Sequence, residues 1–599
     1  AASDPLKQPF FGDLHVHTRY SLDASTQGTR TTPEQAYRFA RGERLELQPW
    51  TANGWAQRSL QLSEPLDFAM VSDHAELIGD VLICNQPGME GFDSWQCKLY
   101  RNWPRAAYYL FNFMATIQQT HLGMCGENGE ICREAAITPW REMQQAAEKF
   151  YDRSADCSFT TFIGYEWTAM NSDVGGNLHR NVVFANDRVP RLPASFIETP
   201  GASLLWASLD EECVNAGTGC DALVIPHNSN LSAGKMFSRE LDAGGAMDAA
   251  YATSRERYER VVEMIQHKGA SECFYQQGVT EDELCAFELL PKDNIAGLDN
   301  PPTPDTGFVR KALNDGMQLE QALGVNPYKF GFIGSTDTHL GAPGATEEDR
   351  FLGHGGAGVP ARDEIPPGLP DKLTYNPGGL AVVWAEHNTR EALFDGMQRR
   401  ETYATSGSRI VTRFFGGWKL APGLCDAPDR VAIAYEQGVP MGSDLPAQPP
   451  TAGAPSFLVA ARQDSVGLGG GGTPLQRIQV VKSWLDEGAR RETVYDVAGD
   501  PDNGATVDTR TCATSGPGFA ELCTVWTDPD FNASQRALYY TRVIENPTCR
   551  WSQRMCAAAQ VDCAVPSTIG YGFEGCCDEQ HRPVIQERAW TSPIWYTPE

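Results

Sequence analysis

Two histidines separated by one residue close the run Phe10-Phe11-Gly12-Asp13-Leu14-His15-Val16-His17. In an extended strand residues i and i+2 face the same side, so both imidazoles can converge on one cation at the strand's C-terminal end. Eleven histidines in 599 residues give 599 × (11/599)², about 0.2, such pairs by chance. The pair therefore gains meaning only if other ligand types recur nearby. They do, at the ends of further apolar runs: Asp73-His74 after 66–72, Glu166 within 161–167, His227 after 222–226, and Asp337 with His339 after 329–334. Histidine and carboxylate together form a ligand set for divalent transition metals.

Elements that could gather these groups are legible in the pattern. Short apolar runs at 10–15, 66–72, 161–167, 181–185, 222–226, 260–265 and 329–334 alternate with amphipathic stretches at 33–41, 141–151, 203–216, 308–323 and 389–399. Thr32 and Pro33 open the first of these helices as N-cap and N1. Seven strands spaced this way predict an α/β barrel with a parallel sheet, whose functional groups collect at the C-terminal rim. Residues 76–158 are too long for one crossover and read as a helical insertion over the barrel mouth. From 410 the pattern becomes β-rich, with runs at 475–484, 492–497 and 538–544 between Gly- and Pro-rich turns. Domains of 1–409 and 410–599 follow. The stretch Gly467–Gly472 formally fits G-x-G-x-x-G, but without a strand before and a helix after it reads as a flexible turn.

A formal charge of −28 makes the overall field repulsive to nucleic acid and to anionic membranes. A local cluster of cations would still draw an anionic small molecule into a cleft. None of the 17 cysteines forms C-x-x-C, and pairs such as Cys125 with Cys132, Cys213 with Cys220 and Cys549 with Cys556 predict disulfides. Cys576 and Cys577 are expected to take separate partners, and the odd total leaves at least one thiol free or paired with another chain. An oxidising compartment follows, so the chain is expected to be an exported, periplasmic or extracellular protein in its mature form. No apolar run reaches membrane-spanning length.

The ordered motifs resemble the PHP superfamily, named for polymerase and histidinol phosphatase, and more closely a family of large exported PHP-like proteins of unassigned function. They are Gly12-Asp13-Leu14-His15-Val16-His17-Thr18 with Ser21-Leu22-Asp23, Ser72-Asp73-His74-Ala75-Glu76, Gly164-Tyr165-Glu166-Trp167, Asn177-Leu178-His179-Arg180, Ile225-Pro226-His227-Asn228-Ser229-Asn230, Lys268-Gly269-Ala270-Ser271-Glu272 and Gly334-Ser335-Thr336-Asp337-Thr338-His339. Blocks such as Trp526–Phe531 and Arg550-Trp551-Ser552 extend the likeness towards the C-terminus. The resemblance implies a distorted seven-stranded (β/α) barrel holding two to three divalent metals, zinc, manganese or iron. Its ligands would be His15, His17, Asp23, His74, Glu166, His179, His227, Asp337 and His339, with Glu166 bridging two ions. Asp23 also reads as a capping carboxylate, since Ser21-Leu22-Asp23 departs from the family's Ser-Asp-Gly. His179 starts a strand rather than ending one, which leaves an ordinary buried histidine open.

Arg180 and Lys268 are candidates to hold oxygens of an anionic substrate, with surface cations as the alternative. Asp73 is assigned to the catalytic set, able to orient a ligand histidine. Glu76, His267 and Glu272 are candidates behind the ligands. The leading expectation is a hydrolase of phosphomonoesters or phosphodiesters using a metal-activated water. Sulfate or other charged esters are the enzymatic alternative, and a metal-containing binding protein the non-catalytic one. No G-x-S-x-G is present, which disfavours a serine nucleophile.

Overall fold

The protein is described by a computed structural model over residues 4–276, 280–300, 305–356, 364–465 and 472–598. All seven strand candidates are strands: β1 Gln8–Asp13, β2 Phe68–Val71, β3 Thr160–Trp167, β4 Arg180–Phe184, β5 Ala222–Pro226, β6 Val261–Gln266 and β7 Gly331–Gly334. β1, β2 and β3 are parallel neighbours, as are β6 and β7. Every residue of β3 and β5 is buried, which is why these strands read as unbroken apolar runs rather than alternating ones.

One strand corrects the expectation of a parallel sheet throughout. β4 runs antiparallel to both β3 and β5. The connection from β3 holds only a two-residue ladder, Met170–Asn171 with Gly176–Asn177, and no helix to carry the chain back across the sheet. Without a crossover the chain must reverse.

β1 also pairs antiparallel with Leu380–Ala385, which pairs in turn with Thr402–Thr405. The sheet then continues through Arg588–Thr591, Ala537–Glu545, Leu475–Asp486 and Ala489–Gly499, so strands from before and after residue 409 share it. A second sheet orders Val439–Pro440, Val411–Gly417, Ser456–Arg462 and Glu521–Thr527. Gly334 is a site of close approach: a Cβ there would lie 2.8 Å from the Thr405 carbonyl oxygen and 2.9 Å from that of Leu380.

Helix α1, Pro33–Ala40, begins as predicted: Gln35 N donates to Thr32 Oγ1 and the Gln35 side chain accepts from Thr32 N. Residues 76–158 carry helices α2 Ile78–Asn85, α3 Trp95–Asn102, α4 Pro104–Asn112 and α5 Glu130–Phe150. Disulfides Cys84–Cys97 and Cys125–Cys132 tie them together. Tyr100 of α3 hydrogen-bonds Ser25, two residues from Asp23.

Eight disulfides form among the described residues, consistent with an oxidising compartment. Cys125–Cys132 and Cys213–Cys220 pair as expected. Cys549 does not pair with Cys556: it joins Cys512, and Cys556 joins Cys576, because folding brings distant segments closer than sequence neighbours. Cys577 pairs separately with Cys563, and Cys157 stays free. The glycine-rich stretch at 467–472 lies, except for Gly472, outside the described residues. No described helix is long and apolar enough to cross a membrane.

Candidate metal centre

Glu166, near the end of β3, is the hub of a buried group of imidazoles and carboxylates. Its Oε2 lies 3.1 Å from His15 Nε2, 3.1 Å from His17 Nε2 and 3.4 Å from His74 Nδ1. Its Oε1 lies 2.7 Å from His179 Nδ1 and 3.0 Å from His227 Nε2. Asp337 Oδ1 faces the same two nitrogens as Oε2, 3.2 Å from His15 Nε2 and 3.0 Å from His17 Nε2. Asp23 closes the set, with Oδ2 3.1 Å from His74 Nε2 and 2.7 Å from His339 Nε2. All nine expected ligand positions thus meet.

Three of the groups that could hold a metal ion consist of these nine residues, each with its donor atoms within 4.8 Å of one another: His15, His17, Glu166 and Asp337; Glu166, His179 and His227; His17, Asp23, His74 and His339. The two oxygens of Glu166 serve different groups. His179 joins because β4 is reversed, so the start of that strand lies at the rim where its neighbours end. Asp337 and Asn228, beside His227, both hold left-handed backbone conformations, φ 55° and 49°, of the kind concentrated at functional sites.

The outward nitrogens are pinned. His15 Nδ1 lies 3.0 Å from Glu263 Oε2, and His17 Nδ1 lies 2.9 Å from Ser21 Oγ. Ser21 Oγ donates to Asp73 Oδ1 at 2.7 Å, so it accepts from His17 and places that ring's proton on Nδ1. Asp73 thus acts on His17 through Ser21, and also accepts from Thr18 N and Oγ1. Glu76 accepts from Thr168 N, while Thr168 Oγ1 lies 2.7 Å from His74 Nδ1.

Lys268 Nζ pairs with Asp337 Oδ2 and lies 2.9 Å from His267 Nε2, which is itself 3.3 Å from Asp337 Oδ2. The side chains of Asp23, His74, His179 and Lys268 keep 16, 12, 14 and 15 % exposure, which makes theirs the open side of the cluster.

Two expected residues lie elsewhere. Arg180 is buried against Glu259, 2.7 Å from Nε to Oε1, because strand alternation turns it away from the face that His179 joins. Glu272 is held by Arg310 and Trp590, each at 2.7 Å, and by Tyr540, in a buried network with the C-terminal strands. Sequence reasoning missed Glu263, Asp13, Gln266 and His354. Glu263 had a signal, a carboxylate in the middle of the apolar run Val261-Val262-Glu263-Met264-Ile265. Asp13 accepts from Thr336 Oγ1 at 2.6 Å and Gly344 N at 2.8 Å, anchoring the loop that carries Asp337 and His339. Gln266 donates to Asp337 Oδ2 at 2.7 Å, and the His354 ring lies 5.4 Å from that of His267.

Charge in the cluster is tightly compensated. Burial alone would raise the Glu166 and Asp337 carboxyls, but His74 and His227 around the first, and His15 and Lys268 around the second, hold both well below the ordinary carboxylate range. Burial disfavours a charged His74, yet Glu166 and Asp23 lift it to about 10. Burial and the neighbouring His15 push His227 down to about 3.

The residues fit a group of cations. With its proton on Nδ1, His17 turns a bare Nε2 lone pair towards two carboxylate oxygens, and this buried atom has no hydrogen-bond partner. Three lone-pair donors facing one another need positive charge between them. Asp80 with Cys125 and Cys132 forms a further grouping, but its sulfurs are joined in a disulfide.

No curated protein matches the chain. A crystal structure of a two-domain protein from Bacteroides vulgatus, described as containing a predicted PHP-like metal-dependent phosphoesterase, aligns over 90 % of this chain and 92 % of its own, at 8 % identity and a TM-score of 0.30. A likeness that loose carries no argument about this chain. The family model described as "Protein of unknown function (DUF3604)" matches residues 4–598, and the chain belongs to that family.

Proposed function

We propose that this protein is a metal-dependent hydrolase of phosphoesters, monoester or diester, with two to three divalent transition ions, zinc, manganese or iron, held by Glu166 and the eight ligands around it. The observation that carries the reading is the convergence of His15 Nε2, His17 Nε2, Glu166 Oε2 and Asp337 Oδ1, with both histidines pinned from behind. Ions there would neutralise charge on ester oxygens and lower the pKa of a water. The chain's own residues do the rest. Glu263 and the Ser21–Asp73 pair hold the imidazole protons on Nδ1. Lys268, on the open side, offers an ammonium group to a non-bridging phosphoryl oxygen, the electrostatic help that phosphoryl transfer chiefly needs.

The same reading takes β1 to β7 as a distorted barrel. It is supported by the parallel bridge from Val16, just past β1, to Thr338, just past β7. The disulfides support a periplasmic or extracellular location.

The test is elemental analysis of purified protein followed by assay against matched aryl phosphate and aryl sulfate esters. Two to three equivalents of transition metal with phosphate turnover is the expected result. No phosphate turnover with any divalent metal overturns the reading, and turnover of sulfate alone replaces the substrate class.

A further inference from the structure

The outer face of the helical segment 95–117 differs from the rest of the chain in charge and in apolar exposure. No Asp or Glu occurs between Asp93 and Glu127, the longest such interval in a sequence with 77 acidic residues, and it contains Lys98, Arg101 and Arg105. Trp95, Trp103, Tyr109 and Phe113 are 63, 67, 57 and 47 % exposed, a concentration of large apolar side chains unusual for a free surface.

Their spacing gives each helix an exposed face of its own. On α4 and the π-turn that extends it, Arg105, Tyr109 and Phe113 recur every four residues and share a face. On α3, Trp95 and Lys98 are three apart, and Trp103 stands at the junction of the two helices. The opposite faces, through Cys97, Tyr100, Ala107 and Phe111, are buried in one core. Arg101 is committed to the Cys84 and Phe92 carbonyls, whereas Lys98 and Arg105 have no carboxylate partner among the described residues.

We propose that this face docks on an anionic lipid bilayer. Exposed aromatic side chains beside cations without a carboxylate partner, in a stretch that has no acidic residue from 94 to 126, match the apolar and polar layers of a phospholipid interface. The net charge of −28 does not prevent this, because at physiological ionic strength charges more than about 8 Å away are largely screened. A symmetric pairing of two copies through this face would bring Lys98 and Arg105 of both copies into one interface without a carboxylate partner for either, which disfavours a second copy as the occupant. The inference rests on the surface alone and stands independently of the reading of the metal centre.

Co-sedimentation of the full, disulfide-bonded chain with phosphatidylglycerol-containing vesicles and with pure phosphatidylcholine vesicles tests it. Wild type should partition onto the anionic vesicles. Reversing Lys98→Glu and Arg105→Glu together should weaken this by about tenfold or more, as should Tyr109→Ser with Phe113→Ser, while all three proteins keep the same melting temperature. Because these side chains are exposed, loss of fold is not expected, and the melting curve checks it. Failure of wild type to bind either vesicle overturns the proposal, as does undiminished binding by the charge-reversed protein. A dimer in analytical ultracentrifugation that the same substitutions dissolve assigns the face to a second copy instead.

Discussion

His15 and His17 direct their Nε2 atoms at the same oxygen, Asp337 Oδ1, from 3.2 and 3.0 Å, although their outward nitrogens are held by unrelated partners. The strand spacing points both rings the same way, and the partners behind them decide which nitrogen is free. On the proposed reading, a pair oriented twice over, by backbone and by hydrogen bond, would be preorganised for a cation.

Glu166 is the residue whose loss should cost most. Glu166→Ala removes one oxygen from each of two ligand groups. The expected result is at least one equivalent less bound metal by elemental analysis and loss of ester hydrolysis. His15→Ala and His339→Ala should each lower both quantities, and full activity in either would show that turnover arises elsewhere.

Glu263→Gln keeps the shape of the side chain but removes the carboxyl group that holds His15 Nδ1. Metal affinity should fall by about 10- to 100-fold, measured by competition with a chelator. Ser21→Ala should act in the same direction on His17, whereas Asp73→Asn should also loosen the Thr18 backbone.

Arg180 and Lys268 should separate cleanly. Arg180→Ala leaves Glu259 buried beside Arg255 with half its partners gone, and should lower stability by about 3–5 kcal/mol in denaturant melts. Lys268→Ala, on the open side of the centre, should reduce kcat/KM for an anionic ester with a smaller change in stability, because Asp337 keeps His15, His17 and Gln266 as partners.

Stability should decline with rising pH through one group far from the centre. Burial, against a hydrogen bond from Ser408, pushes the Glu545 carboxyl up to about 8 from an ordinary 4.5. Below 4.5 the group is protonated whether folded or unfolded, and its contribution is fully present. Between 4.5 and about 8 the unfolded chain releases the proton that the folded one keeps, so stability falls with pH. Glu545→Gln should flatten that part of the melting-temperature profile.

Much of the centre was legible before folding. His15, His17, His74, Glu166, His227, Asp337 and His339 stand at the ends of apolar runs, and parallel strands carry such ends to one rim because their direction is common. Strand periodicity and helix caps are local properties, so the seven strands and Thr32 with Pro33 could be read from neighbours in sequence. Tertiary structure alone decided the remainder, because it depends on direction and on distant partners. Reversal of β4 brings His179 to the rim, and the meeting of Arg180 with Glu259 needs a segment 79 residues away, neither of which the sequence alone determined. Glu263 reaches His15 only once β6 lies beside the cluster, and Cys549 meets Cys512 rather than Cys556 only after 37 residues of chain have folded back. What the sequence determined by itself is the set of donors and the strands that carry them. Which nitrogen of each ring is free, and which cation faces the open side, follow from packing between segments apart in sequence, 248 residues apart for His15 and Glu263 and 52 for Ser21 and Asp73.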